Sequence, residues 1–234
     1  MSPFIVHGTK IGGLTIIAHT PKLRGMEPKP RVLPAIIADT QERLSQLLDT
    51  VSFAPEVMLD LMDGRFVPSQ SLLFPMRLRD DQSYQLHIMA EDPLRWVQGL
   101  PGEVESVAFH LEAVGDPELV SRELERLGFQ VFLALNPATP FEEATGLLEG
   151  VDGLLVMTVE PGGYGAPFTP DALGKVSEAR RLHPSMDLEV DGGMKPETAR
   201  MARKAGANVF ASGSYIVKSR DPLEAYRRLL KAVE

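Results

Sequence analysis

Cysteine is absent from the 234 residues, which excludes both a disulfide framework and a thiolate metal site. Long apolar runs are also missing. No stretch approaches the roughly 20 residues of a membrane-spanning helix, and no secretory leader pattern stands out. The expected location is therefore the cytoplasm. Positive charge is in deficit: 24 Lys and Arg face 32 Asp and Glu, a formal net charge of -8. That balance argues against a general partner of nucleic acid or of an anionic membrane. A small anion is still admissible, because backbone N–H groups at helix starts bind phosphate without any basic side chain. With 44% hydrophobic residues, the chain is long enough to enclose one large core.

The stretch Val57-Met58-Leu59-Asp60-Leu61-Met62-Asp63-Gly64 organises what is present. Its apolar residues read as a buried strand that carries one carboxylate and then turns at Asp63-Gly64. A carboxylate leaves water only at a cost, so Asp60 calls for a partner such as a metal or a substrate hydroxyl. The alternative is a carboxylate that accepts backbone N–H bonds from the following turn. A similar stretch recurs late, Leu188-Glu189-Val190-Asp191-Gly192-Gly193.

Residues 1–30 stand apart from the rest. Phe4-Ile5-Val6 and Leu14 to Ile17 could pair as a hairpin, and the segment ends in the stiff linker Glu27-Pro28-Lys29-Pro30. From Arg31 to the end at 234 the pattern is regular. Strand-like runs cover Arg31–Ile37, Val57–Leu61, Tyr84–Met89, Ser106–Leu111, Gln130–Leu135, Gly153–Thr158, Asp187–Val190 and Asn208–Ala211. Most are followed by amphipathic segments, among them Gln41–Val51, Glu118–Leu127, Asp171–Leu182, Pro196–Ala205 and Pro222–Val233; Ser69–Arg79 is the least clear segment. Eight alternating units in about 200 residues predict an α/β fold, a (β/α)8 TIM barrel with a short N-terminal extension. A doubly wound sheet is less suitable, because Pro34-Ala35-Ile36-Ile37-Ala38-Asp39 follows the first strand where that fold carries its glycine fingerprint.

In a barrel the site lies where strands end. The polar residues at these ends are Asp60, His87, His110 with Glu112, Asn136 and Asp191. Glycine turns follow the late strands: Gly162, Gly163 and Gly165, then Gly192-Gly193, then Gly213-Ser214. Such turns are the fold's usual phosphate site.

From Arg31 onward the chain resembles the ribulose-phosphate 3-epimerase family. The resemblance rests on Asp60-Leu61-Met62-Asp63-Gly64-Arg65-Phe66-Val67-Pro68, Leu86-His87-Ile88-Met89, Phe109-His110-Leu111-Glu112-Ala113 and Leu133 to Pro140. It continues through Met157 to Gly162, Glu189 to Gly193 and Ser212-Gly213-Ser214. It implies interconversion of D-ribulose 5-phosphate and D-xylulose 5-phosphate, with Asp60 and Asp191 transferring protons at C3 through a metal-stabilised enediolate. It further implies a divalent metal (zinc first, iron or manganese as alternatives) on Asp60, His87 and Asp191. Met62, Met89 and Met157 would form an apolar wall around the substrate, and the protein would be a homo-oligomer. A barrel of the hexulose-phosphate synthase and decarboxylase kind is disfavoured, because their Asp-x-Lys-x-x-Asp pattern has no lysine here between Asp60 and Asp63.

Four departures from the family's pattern stand out. Met58 replaces a His ligand, Ala35 a Ser, and Ala166 a Gln; Ser69 to Pro75 reads Ser-Gln-Ser-Leu-Leu-Phe-Pro instead of Asn-Ile-Thr-Phe-Gly-Pro. A thioether is a soft, neutral ligand beside carboxylates, so metal affinity and activity are expected to be weakened. The alternatives are an epimerase of another ketose phosphate, such as a ketohexose 6-phosphate, or a non-catalytic phosphosugar-binding barrel that has lost its metal.

Overall fold

The computed structural model describes residues 28–234, together with the backbone of 9–11 and 14–16. In the extension, Thr9–Ile11 pairs antiparallel with Leu14–Ile16. The expected strand Phe4–Val6 lies outside the described residues.

Eight parallel strands close into a barrel: β1 (Arg31–Ile36), β2 (Glu56–Asp63), β3 (Ser83–Met89), β4 (Val104–His110), β5 (Gln130–Leu135), β6 (Gly153–Met157), β7 (Asp187–Asp191) and β8 (Val209–Ser212). β8 pairs with β1 and β1 with β2, which leaves the ring without an open edge. The two-residue strand Gln70–Ser71 adds antiparallel to the end of β2.

The period-2 alternation of the strands sorts their residues between two cores. Val57, Leu59 and Leu61 of β2 face outward into the layer between strands and helices, with Leu86 and Ile88 of β3. Met58 faces the barrel interior with Leu33, Ala35, Ala108, Phe132, Leu155, Met157 and Ala211. Each fully buried Leu or Ile in the outer layer contributes roughly 1.5–3 kcal/mol.

The helices are α1 (Gln41–Thr50), α2 (Pro93–Trp96), α3 (Pro117–Arg126), α4 (Glu142–Thr145), α5 (Leu173–Leu182) and α6 (Pro196–Ala205) between strands, and α7 (Ser214–Val217) and α8 (Pro222–Val233) after β8. Sequence signals explain the longer ones. Thr40, Asp116 and Asp221 accept the first free N–H groups of α1, α3 and α8. Pro117, Pro196 and Pro222 occupy first-turn positions, where a missing N–H costs nothing. The segment 69–82 between β2 and β3 has no helix. Pro68 and Pro75 favour extended chain there, and its apolar residues follow no 3.6 period.

At the N-terminal end of the barrel, Arg31 binds Glu56 through Nη1 at 2.7 Å and Asp187 through Nη2 at 3.3 Å. This cross-link ties β1 to β2 and β7 and leaves the opposite end for the site. Among the described residues, no helix is long and apolar enough to cross a membrane.

Candidate active site at the C-terminal mouth of the barrel

Strand register brings the acidic and imidazole side chains together. Asp60 on β2 pairs with His87 on β3, and Asp191 on β7 pairs with Met157 and Ala211 on its two neighbours. Each points inward, because the flanking Leu59, Leu61, Leu86, Ile88 and Val190 take the outer layer. His87 Nδ1 lies 3.1 Å from Asp60 Oδ1 and 3.7 Å from Asp191 Oδ2. The three ligand atoms all fall within 4.8 Å of one another, and Asp60 and His87 are buried.

Two carboxylates so close and so dry resist ionising together. Burial pushes the Asp191 carboxyl up to about 7, and the charge of Asp60 adds to that, while His87 and the Gly192 N–H pull the other way. One layer below, Gln85 Nε2 donates to Glu189 Oε2 at 2.8 Å, and burial holds Glu189 well above the usual carboxylate range. The chemistry of the upper trio is that of a cation site. Two carboxylate oxygens and one imidazole nitrogen suit zinc, iron or manganese, and a cation between them would relieve the crowding. The residues therefore fit a divalent metal with three protein ligands. Met58 lies two residues before Asp60 on the same face of β2, fully buried, and adds no charge or strong donor.

The two readings of the first acidic stretch divide between its two aspartates. Asp63, not Asp60, holds the turn: its Oδ1 accepts from Arg65 N and Phe66 N at 2.8 and 3.1 Å, and its Oδ2 from Glu91 N at 3.0 Å.

Above the carboxylates lies a cavity of about 80 Å³. Asp60 and Asp191 line its floor, Met89 and Met157 its apolar wall, and Gly162, Gly163, Gly165, Gly192, Gly193, Gly213 and Ser214 its rim. His87 stands behind the carboxylates, fully buried, and Met62 packs one layer back with Val67 and Met89. Gly192 is needed for its backbone: φ is +110°, and a Cβ there would meet Val159 Cγ2 at 2.5 Å. Thr158 Oγ1 donates to the carbonyls of Asp191 and Gly192 at 2.9 and 2.6 Å, fixing the turn that follows the acid.

Two features of the site had no role assigned from the motifs. The first is Tyr164, whose hydroxyl donates to Ala35 O at 2.8 Å and accepts from Ile37 N at 3.2 Å. Its ring covers Gly213, where a Cβ would collide with Tyr164 Cε1, and Lys218 Nζ sits 4.8 Å from the ring centre. Burial raises the phenol pKa, and the nearby Asp60 charge raises it further. Together with the Ser69 hydroxyl, which donates to Gly162 O, Tyr164 holds the loop 161–165 over the cavity. A lone tyrosine among glycines was the available clue. The second is a chain that leads from His87 through His110 to Glu112, with 2.9 Å between the two Nε2 atoms and 3.3 Å from His110 Nδ1 to Glu112 Oε2.

Fold and site together define a (β/α)8 barrel with an acid–imidazole–acid group beneath a glycine-rimmed mouth, the layout of an acid–base isomerase. The sequence profile described as the ribulose-phosphate 3 epimerase family matches residues 30–217. A ribulose-phosphate 3-epimerase from Mycobacterium tuberculosis is 32% identical over 219 residues, covering 88% of this chain and 94% of that protein. The rice protein named ribulose-phosphate 3-epimerase, cytoplasmic isoform, is 37% identical over 186 residues, covering 75% of this chain and 81% of its own. The chain belongs to the ribulose-phosphate 3-epimerase family and is an epimerase-type isomerase. The barrel is also similar to the 3-hexulose-6-phosphate synthase of Salmonella typhimurium, with TM-score 0.60 and 16% identity over 87% of this chain and 98% of that one; this is a likeness of fold.

Proposed function

We propose that the chain interconverts D-ribulose 5-phosphate and D-xylulose 5-phosphate by proton transfer between C3 and the two carboxyl groups of Asp60 and Asp191. The observation that carries the reading is the convergence of these two acids, from opposite sides of the barrel, to within 4.8 Å of each other at the cavity floor. Inverting a stereocentre needs a base on one face and an acid on the other. In one direction the Asp60 carboxylate takes the C3 proton, and the C–H electron pair moves toward the C2 carbonyl to give an enediolate. Asp191, with its pKa raised to about 7, then delivers a proton to the opposite face. The reverse reaction exchanges the roles.

A divalent cation on Asp60, His87 and Asp191 would supply Lewis-acid stabilisation of the developing oxyanion. Zinc is the first choice, with iron and manganese as alternatives, and Met58 in place of a further donor weakens the grip. Met89 and Met157 exclude water from the reacting carbon. The N–H groups of the Gly192-Gly193 and Gly213-Ser214 turns receive the phosphate. We further propose a cytoplasmic homo-oligomer; the name of the rice relative, a cytoplasmic isoform, and the family resemblance support this reading.

The test is solvent exchange. Ribulose 5-phosphate incubated in deuterium oxide with the protein and added zinc, iron or manganese should gain deuterium at C3 and yield xylulose 5-phosphate. Absence of exchange with all three metals would remove the reading. A second reading, an epimerase for a ketohexose 6-phosphate, draws on Ala35 and Ala166, which present only methyl groups to the cavity. A panel of ketose phosphates separates the two by relative kcat/KM.

A further inference from the structure

The chain from His87 to Glu112 ends on a carboxylate that can only accept hydrogen bonds, and this fixes where every proton on it sits. We propose that Glu112 and His110 are positioning residues that set the tautomer of His87, so that Nδ1 offers a lone pair rather than an N–H to Asp60 and Asp191. The inference rests on the metal-dependent reading above only for its purpose, not for the placement of protons.

Glu112 Oε1 accepts from the Asn136 backbone N–H at 2.8 Å and from the Thr139 hydroxyl. Its remaining oxygen, Oε2, faces His110 Nδ1 at 3.3 Å. An ionised carboxylate has no proton to donate, so His110 Nδ1 carries the hydrogen. His110 is fully buried, with the Phe66 ring 4.9 Å away, and a neutral imidazole holds one N–H only. Its Nε2 is therefore bare. That bare nitrogen stands 2.9 Å from His87 Nε2, a distance that requires one hydrogen between them, so His87 supplies it. A His87 ring that carries this one N–H then has a bare Nδ1 as well.

The result is a confrontation of acceptors. With both carboxyls ionised, a nitrogen lone pair and two carboxylate oxygens face one another at 3.1 and 3.7 Å in a buried pocket. A cation answers that arrangement, and a histidine that ligates metal through one nitrogen while donating from the other to an acceptor is the usual way to orient the ring. Every hydrogen on the chain points away from the carboxylate pair and toward Glu112.

Glu112→Gln reverses the chain with little change of shape. The amide oxygen still accepts from Asn136 and Thr139, while the NH2 now faces His110 Nδ1 and makes it an acceptor. His110 Nε2 must then carry the hydrogen, His87 Nε2 must accept it, and His87 Nδ1 becomes an N–H that blocks a metal. Imidazole 15N shifts of the metal-free full chain should show the Nε2–H tautomer of His87 in the wild type and in Glu112→Asp, and the Nδ1–H tautomer in Glu112→Gln. Zinc affinity measured by chelator competition should fall roughly 10–100-fold in Glu112→Gln, with thermal unfolding confirming a folded protein. A wild type with Nδ1–H on His87, or a Glu112→Gln variant with tautomer and zinc affinity both unchanged, would overturn the assignment. Failure of the catalytic reading looks different: the tautomers would follow this pattern while C3 of ribulose 5-phosphate exchanged no deuterium.

Discussion

Asp60 and Asp191, 131 positions apart in the chain, present carboxylate oxygens within 4.8 Å of one another at the floor of a single cavity. If each serves one face of the sugar carbon, removing one should stop inversion but leave half of the exchange chemistry. Asp60→Asn and Asp191→Asn should each lower kcat for epimerisation by about 10²–10⁴, the usual share of a general acid or base. In each variant the surviving acid should still exchange the C3 proton of one epimer with solvent, and it should be a different epimer in the two variants. Proton NMR of both sugar phosphates in deuterium oxide reads this directly; the same epimer exchanging in both variants would contradict the two-face arrangement.

The raised pKa of Asp191 has a consequence for stability. In the metal-free protein, burial and then the Asp60 charge hold this carboxyl up to about 7, whereas an unfolded Asp titrates at about 4. Between those two values the folded chain binds more protons than the unfolded one. Stability from this group is thus fully present below about pH 4 and is lost as pH rises toward about 7. The melting temperature of wild type minus that of Asp191→Asn, measured with chelator, should fall across that window and level off above it. Zinc binds the deprotonated form, so its stabilising increment should grow over the same range. A difference curve that is flat or rises with pH would show that the proton is held elsewhere.

The barrel was legible because its strands alternate so regularly that outward and inward residues separate into two cores, as Val57 to Met62 show. Asp60, His87 and Asp191 were legible for the same reason: a carboxylate or imidazole on the inward face of an apolar strand is too costly to bury without a partner, and so marks a site. Tyr164 was not, since its partners are backbone atoms of β1 and the end of that strand, 127 and 129 positions away, and backbone atoms leave no trace in a motif. The segment 69–82 was opaque because a stretch whose regular structure is the two-residue strand Gln70–Ser71 has no period to detect. The His110–Glu112 chain lies between these cases. Its residues stood in a recognisable stretch, but their role depends on which nitrogen faces which neighbour, and that is a property of the folded arrangement alone.

Met58 is the position where one substitution should change metal binding most. Its side chain is fully buried in the barrel interior beside Ala35, two residues before Asp60 on the same face. Met58→His replaces it with an imidazole of similar bulk. Without a metal, the buried ring lacks a partner and the protein should lose about 1–3 kcal/mol of stability. With zinc, a fourth ligand joins Asp60, His87 and Asp191, so affinity should rise and the lost stability should return. Chelator competition and melting curves with and without zinc check both halves. Loss of stability that zinc does not restore would mean that the new imidazole cannot reach the site.

Tyr164 tests how much the cover of the cavity matters. The loop 161–165 contains three glycines with positive φ, at +119°, +155° and +99°, so little in its own backbone holds it in place. Its described anchors are the Ser69 hydroxyl on Gly162 O and the Tyr164 hydroxyl between Ala35 O and Ile37 N. Tyr164→Phe keeps the ring over Gly213 but removes both hydroxyl bonds, worth about 0.5–1.5 kcal/mol each. That is enough to let the loop open often without unfolding the barrel. Amide exchange in 161–166 should speed up while β2, β3 and β7 remain as protected as in the wild type. Because a closed loop contributes binding energy to a seated phosphosugar, KM for ribulose 5-phosphate should rise several-fold, with kcat much less affected. If instead kcat falls and KM stays put, the phenol hydroxyl acts on the reacting carbon rather than on the loop, and its place 2.8 Å from Ala35 O would have to be read as a resting position.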